Sequence, residues 1–78
     1  MTSVTVYCVE TFWRNKGRME KGQLRQFGCP DQALSAGRAL SSRMPGVLVY
    51  RVSGSPKVDY WEEPIVLAAH GDTPQLDA

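Results

Sequence analysis

One histidine, two cysteines and a pair of adjacent carboxylates are the residues of this chain that could carry covalent or acid–base chemistry. A nucleophilic site would need Cys8 or Cys29 beside His70, with a third group to orient the pair. No such group stands at a recognisable spacing, so His70 reads as an exposed residue at the end of a strand. Cys29 precedes a predicted helix, a position that lowers a thiol pKa, but a half-buried apolar cysteine is the plainer reading. A metal site needs about four ligands, and one histidine with two cysteines 21 positions apart does not supply them. Glu62 and Glu63 fall in a stretch that reads as strand, where neighbours point to opposite faces and cannot act as an acid–base pair. Neither GxGxxG nor a P-loop is present. No catalytic residue, cofactor or metal is expected, and the chain does not read as an enzyme.

Binding chemistry is better represented. Trp13, Arg14, Lys16 and Arg18 crowd a predicted turn, and Lys21 and Arg25 follow on the return strand. Cations beside an aromatic ring suit phosphates and stacked bases. They suit an acidic protein surface equally well, and a solvated edge hairpin is the bland alternative. Further along, Asp59, Glu62 and Glu63 surround Trp61, a small acidic patch with one aromatic anchor. Residues 1–44 hold seven Lys/Arg against three Asp/Glu, and residues 45–78 hold two against five. The total of +1 excludes a uniformly acidic DNA mimic and a strongly basic nucleic-acid arm.

These residues must be positioned by local elements, and their order is legible. Val4–Trp13 is rich in β-branched and aromatic residues and reads as the strongest and most central strand. Its two faces are Val4, Val6, Cys8, Glu10, Phe12 and Thr5, Tyr7, Val9, Thr11, Trp13. Arg14–Gly17 is a turn, with Asn15 and Gly17 suited to positive φ. A polar, Lys/Arg-rich strand follows within Met19–Phe27, the composition of a protected edge. A helix is predicted from Pro30 to Met44. Proline suits its first turn, Asp31 and Arg43 complement its dipole, and Pro45-Gly46 stops it. Ala33, Ala36, Gly37, Leu40 and Met44 form one stripe at 100° per residue. That stripe is small enough for close approach to a sheet. Val47–Val52 is a third strand, Ser53–Pro56 a turn, and Val58–Ala69 contains a fourth strand, clearest at Ile65–Ala69. Pro64 belongs at a bulge, an edge or a strand start.

The order β-β-α-β-β predicts an α+β fold, a four-stranded antiparallel sheet with one helix on one face. At 78 residues the chain is one domain, 1–72, with a flexible C-terminal tail over 73–78 whose loose character is expected to begin at Gly71. Met1–Ser3 is expected to fray. The small first face of the first strand matches the small helix stripe. It predicts a core of Val4, Val6, Cys8, Leu34, Leu40, Met44, Leu48, Ile65 and Leu67. The other face, with Tyr7, Val9 and Trp13, is then left bare for a partner or a homodimer. Without a leader-like start or a long apolar run, a cytoplasmic location is expected, with both cysteines reduced.

The stretches VTVYCVETFW, GR after the turn, QALSAGRAL and EEPIVLAAHG resemble very short phage and prophage proteins of α-proteobacteria. The overall plan over residues 4–72 also resembles small type I anti-CRISPR proteins, compact α/β inhibitors of the crRNA-guided Cascade complex. The resemblance is structural and transfers no family's binding residues. It implies a phage-derived inhibitor in the host bacterial cytoplasm that binds a type I Cascade subunit and blocks engagement of target DNA. Contact would run through Trp13, Arg14, Lys16, Arg18 and Arg25, or through Asp59, Trp61, Glu62 and Glu63. The alternative is a small nucleic-acid binder that uses the basic hairpin.

Overall fold

Lys16 and Gly17 both take positive φ, 55° and 78°, at the centre of a two-residue turn closed by Asn15 and Arg18. This is the turn whose twist matches a β-hairpin. Lysine, rather than Asn15, occupies the first left-handed position. In the computed structural model, which describes residues 3–74, the turn joins β1 (Val4–Asn15) to β2 (Arg18–Phe27). The chain continues through α1 (Pro30–Ser41), β3 (Gly46–Ser55), a 3₁₀ turn (Pro56–Val58), β4 (Tyr60–Trp61) and β5 (Ile65–Gly71). The two-hairpin α+β plan is as predicted, with the last strand broken in two. Residues 1–2 of the start expected to fray and 75–78 of the expected tail lie outside the described residues.

All pairings are antiparallel. The sheet runs β2-β1-β3, and β4 and β5 lie in tandem along the far side of β3. β1 is therefore central and β2 is an edge. In β2 an extra residue at Gly22–Gln23 forms a bulge opposite Thr11, whose Oγ1 accepts the Gln23 N–H at 2.8 Å. Pro64 directly precedes β5, where its missing N–H is not needed.

The helix ends three residues earlier than predicted. The Ser41 and Ser42 hydroxyls donate to the carbonyls of Arg38 and Ala39, and the Leu40 carbonyl takes the N–H groups of Arg43 and Met44. Serine competes with the helical backbone in this way near a terminus. Tail residues Gly71 and Asp72 are tied down rather than loose. Gly71 ends β5, the Asp72 N–H reaches the Pro45 carbonyl at 2.9 Å, and its carboxylate meets Arg14 at 3.0 Å.

The helix covers the other face of the sheet from the one expected. Ala33 packs with Val9, Val47 and Val49, ringed by Tyr7, Phe27, Leu40, Met44 and Ala68. Any side chain at Gly37 would collide with Val49, so the close approach that the stripe implied is real but made to the odd-numbered residues of β1. Cross-strand register puts Val4, Val6, Cys8, Glu10 and Phe12 on the open face with Leu48, Tyr50 and Val52. Of the nine predicted core residues, Cys8 and Leu48 are buried. Val6, Leu34, Leu40 and Met44 are half-buried, while Val4, Ile65 and Leu67 are exposed. Val4, Ile65 and Leu67 sit where the sheet runs out of neighbours, at a strand start and on an edge strand.

Candidate partner-binding surface

Trp13 stands on the helix side of the hairpin, half-exposed, where β1 runs past the end of α1. Its ring walls an apolar cleft of about 280 Å³, closed by Thr11, Gly22 and Gln23 of the bulged hairpin and by Leu40 and Met44 behind the helix. The cleft exists because α1 stops at Ser41 while the hairpin continues to Asn15–Arg18. A second, more open apolar groove runs between Phe27 and the helix residues Gln32, Ala36 and Ala39. Sequence reasoning found Trp13 as part of a basic cluster but not the cleft, which depends on the packing of Leu40 and Met44 against the bulge.

The basic residues divide by face. Arg18 and Arg25 lie on the same side of the hairpin as Trp13, and Lys16 is at its tip. Among the described residues none of these three forms an ion pair. Arg14 and Lys21 lie on the opposite side. Arg14 is engaged by Asp72 at 3.0 Å, and Lys21 approaches Glu10 at 3.7 Å. Glu20 sits across from Trp13 and accepts a hydrogen bond from Asn15 at 3.4 Å, so the helix side is not uniformly cationic.

The acidic patch is elsewhere. Asp59, in the left-handed region at φ 51°, precedes β4, and Trp61 pairs with Gly54 next to the start of β1. It lies at the opposite end of β1 from the basic turn, roughly 35–40 Å away at strand rise, in a molecule 44 Å long. The two sets cannot form one site. Glu62 and Glu63 are not in a strand. They lie in the link between β4 and β5 and line the same shallow depression of about 110 Å³, with Arg51, Ser53 and Ile65. Arg51 dilutes the negative charge there. Trp61 remains 42% exposed, so it is available as an aromatic contact.

The groups with chemical potential do not assemble. Cys8 and Tyr50 face each other on the open side, and His70 pairs with Val47 on the helix side. Cys8 and His70 are thus separated by the sheet. Burial pushes the Cys8 thiol above its ordinary 9.0; the Tyr50 hydroxyl partly offsets this and the Glu10 carboxylate adds to it. A raised thiol pKa means less thiolate at neutral pH and an inert cysteine. Burial, helped by Glu10, also pushes the Tyr50 phenol well above its ordinary 10.0, and its hydroxyl donates to Glu10 at 3.3 Å. Cys29 occupies the position before α1, its side chain makes no capping hydrogen bond, and its carbonyl accepts the Ala33 N–H. Among the described residues no group of three potential ligands could hold a metal ion, and no helix is long and apolar enough to cross a membrane.

No protein-family profile, no curated protein and no solved structure matches this chain.

Proposed function

We propose that this protein acts by binding a macromolecular partner, most directly an acidic protein surface, at the Trp13 end of the helix side. The observation that carries this reading is the apolar cleft beside Trp13, on the same side as Arg18 and Arg25 and near Lys16 at the hairpin tip, none of which forms an ion pair among the described residues. Binding energy at protein interfaces concentrates in aromatic and arginine anchors near a pocket, and unpaired cations add steering and orientation. Nucleic acid is served less well. A single tryptophan offers one stacking platform where a strand needs several, and Glu20 stands across from it. The acidic patch is the weaker candidate because Arg51 shares its depression.

The sequence resemblance gives this reading a specific form, an inhibitor whose partner is a subunit of a type I Cascade complex. That form is tested by expressing the protein in cells with an active type I system and challenging them with a targeted phage. Restored infection and co-purification with Cascade support it, and intact targeting across subtypes removes it. The broader reading has its own test. Trp13→Ala and Arg18→Glu should each weaken capture of the partner, with Glu62→Lys neutral. If Glu62→Lys alone abolishes capture, the acidic end is the contact. Retardation of DNA or RNA with steep salt dependence would instead favour the nucleic-acid alternative.

A further inference from the structure

We infer that the partner presents an amphipathic helix, which lies beside α1 on the helix side of β2. This rests on the reading of the Trp13 end as a partner-binding surface and extends it along the molecule. α1 is centred over β1 and β3, with Ala33 on Val9, Val47 and Val49 and Gly37 against Val49. Beyond Phe27 the helix-side residues of β2 are therefore left without a helix above them, and Arg25, Gln23, Glu20 and Arg18 are all exposed. Two apolar recesses lie end to end along this gap. One is the Trp13 cleft, and the other is the open groove of about 620 Å³ beside Phe27, Gln32, Ala36 and Ala39. The register from Phe27, opposite Tyr7, to Glu20, opposite Trp13, makes the gap roughly 20 Å long at strand rise.

Geometry selects a helix as the occupant. Packed helices stand about 8–10 Å apart, and β2 lies roughly 7 Å from a point midway between β1 and β3. A second helix against α1 is thus seated over β2. An extended strand would find no backbone partners in the gap. The amides of β2 lie in the plane of the sheet, and at the bulge the Gln23 N–H is taken by Thr11. A helix satisfies its own backbone, and about 13 residues of it span the gap, with one apolar anchor in each recess. Charge sets the polar flank. Arg25 stands between the recesses, and Arg18 and Lys16 lie beyond Trp13, with no ion pair among the described residues. Asp31 borders the Phe27 end. The partner helix therefore carries carboxylates opposite Arg25 and at the Trp13 end, and none beside Asp31. A second copy does not meet this need, because α1 already turns its apolar stripe to its own sheet.

The probe is a synthetic peptide of about 14 residues, with leucines at helical spacing and glutamates on one flank, titrated into the full chain and followed by NMR. Amide shifts are expected at Gln23, Arg25, Ala36, Ala39 and Leu40, and the peptide should gain helix. A peptide of the same composition, scrambled so that its leucines lose helical spacing, should bind at least about tenfold more weakly. Arg25→Glu should weaken binding by a similar factor. Ser35→Gln combined with Ala39→Gln fills the open groove without altering charge. Both positions are exposed, so the far-UV spectrum should not change while binding weakens severalfold. Equal binding of the scrambled peptide overturns the proposal. If Trp13→Ala and Arg18→Glu weaken binding but the groove-filling pair does not, the Trp13 surface stands and the helix groove falls. If none of these variants weakens it, both fall. A chain ending at Pro74 should bind as the full chain does. Binding seen only after that shortening makes the chain's own end the occupant and sinks the idea.

Discussion

The helix-covered face and the open face of the sheet are built from alternate residues of the same three long strands, yet they exclude water by different means. On the covered face Val9, Val47 and Val49 lie under Ala33 and Gly37, a contact made entirely by small groups. On the open face Cys8, Phe12 and Leu48 are at most 3% exposed with no helix above them. On the same face Tyr50, Glu10 and Lys21 form a polar chain across the strands. In a domain this small, one helix cannot cap both sides. On the second side Tyr50 and Glu10 are half-buried and satisfy each other through the hydroxyl–carboxylate hydrogen bond, while the Lys21 side chain stays 78% exposed. Elsewhere on this face, Leu24 and Val66 remain exposed.

Three substitutions test whether the two faces are both cores. The largest effect is expected from Phe12→Ala on the open face, about 3–5 kcal/mol for an aromatic removed from a closed site. That is a large share of the stability of a domain of this length. Urea unfolding measures it, and a loss below ~1 kcal/mol would mean that the open face is surface, not core.

Next is Gly37→Ala on the covered face. Alanine gains ~1 kcal/mol of helix propensity, but its Cβ is driven into Val49. Overpacking costs about 1–3 kcal/mol, so a net loss of up to ~2 kcal/mol is expected. In a Val49→Ala background the same change should be neutral or stabilising. If Gly37→Ala costs the same in both backgrounds, close approach to Val49 is not what glycine provides.

The smallest effect is expected from Tyr50→Phe, about 1 kcal/mol at neutral pH for one part-buried hydrogen bond. Its pH dependence is more telling. The folded state holds the Tyr50 proton above the ordinary 10.0 and the Cys8 proton above 9.0. The unfolded chain releases both at their ordinary values, so it binds fewer protons in that range and stability falls as pH rises from about 9 upward. Tyr50→Phe removes the tyrosine share, leaving a shallower fall due to Cys8. Parallel stability curves for the two proteins between pH 8 and 11 would show that Tyr50 is not linked to folding.

Much of the candidate surface could be read before the fold was known, because its residues are neighbours in sequence. Trp13, Arg14, Lys16 and Arg18 share a hairpin, so their proximity is local. Which of them are free was not local. Asp72 claims Arg14 from 58 positions away, and the register of β1 on β2 sends Lys21 to Glu10 rather than to the side of Trp13. The Glu62–Glu63 pair was misplaced because a β-rich stretch hid a break. Trp61 and Ile65 both belong to strands, but Pro64 and the link before it do not.

The sequence by itself determined the order of elements, the single helix and its small stripe, the central position of β1 and the protected edge of β2. These follow from periodicity, turn chemistry and composition within a dozen residues. The tertiary structure alone decided which face the helix covers. Both faces of β1 are apolar, so a period of two cannot rank them. β2 and β3 each run antiparallel to β1 on either side of it, which makes β2-α1-β3 a crossover between parallel strands. Such crossovers are right-handed in about 98% of cases, so the strand order ties the helix to one face. That order is set by pairings between residues up to 50 positions apart, and no local pattern encodes it.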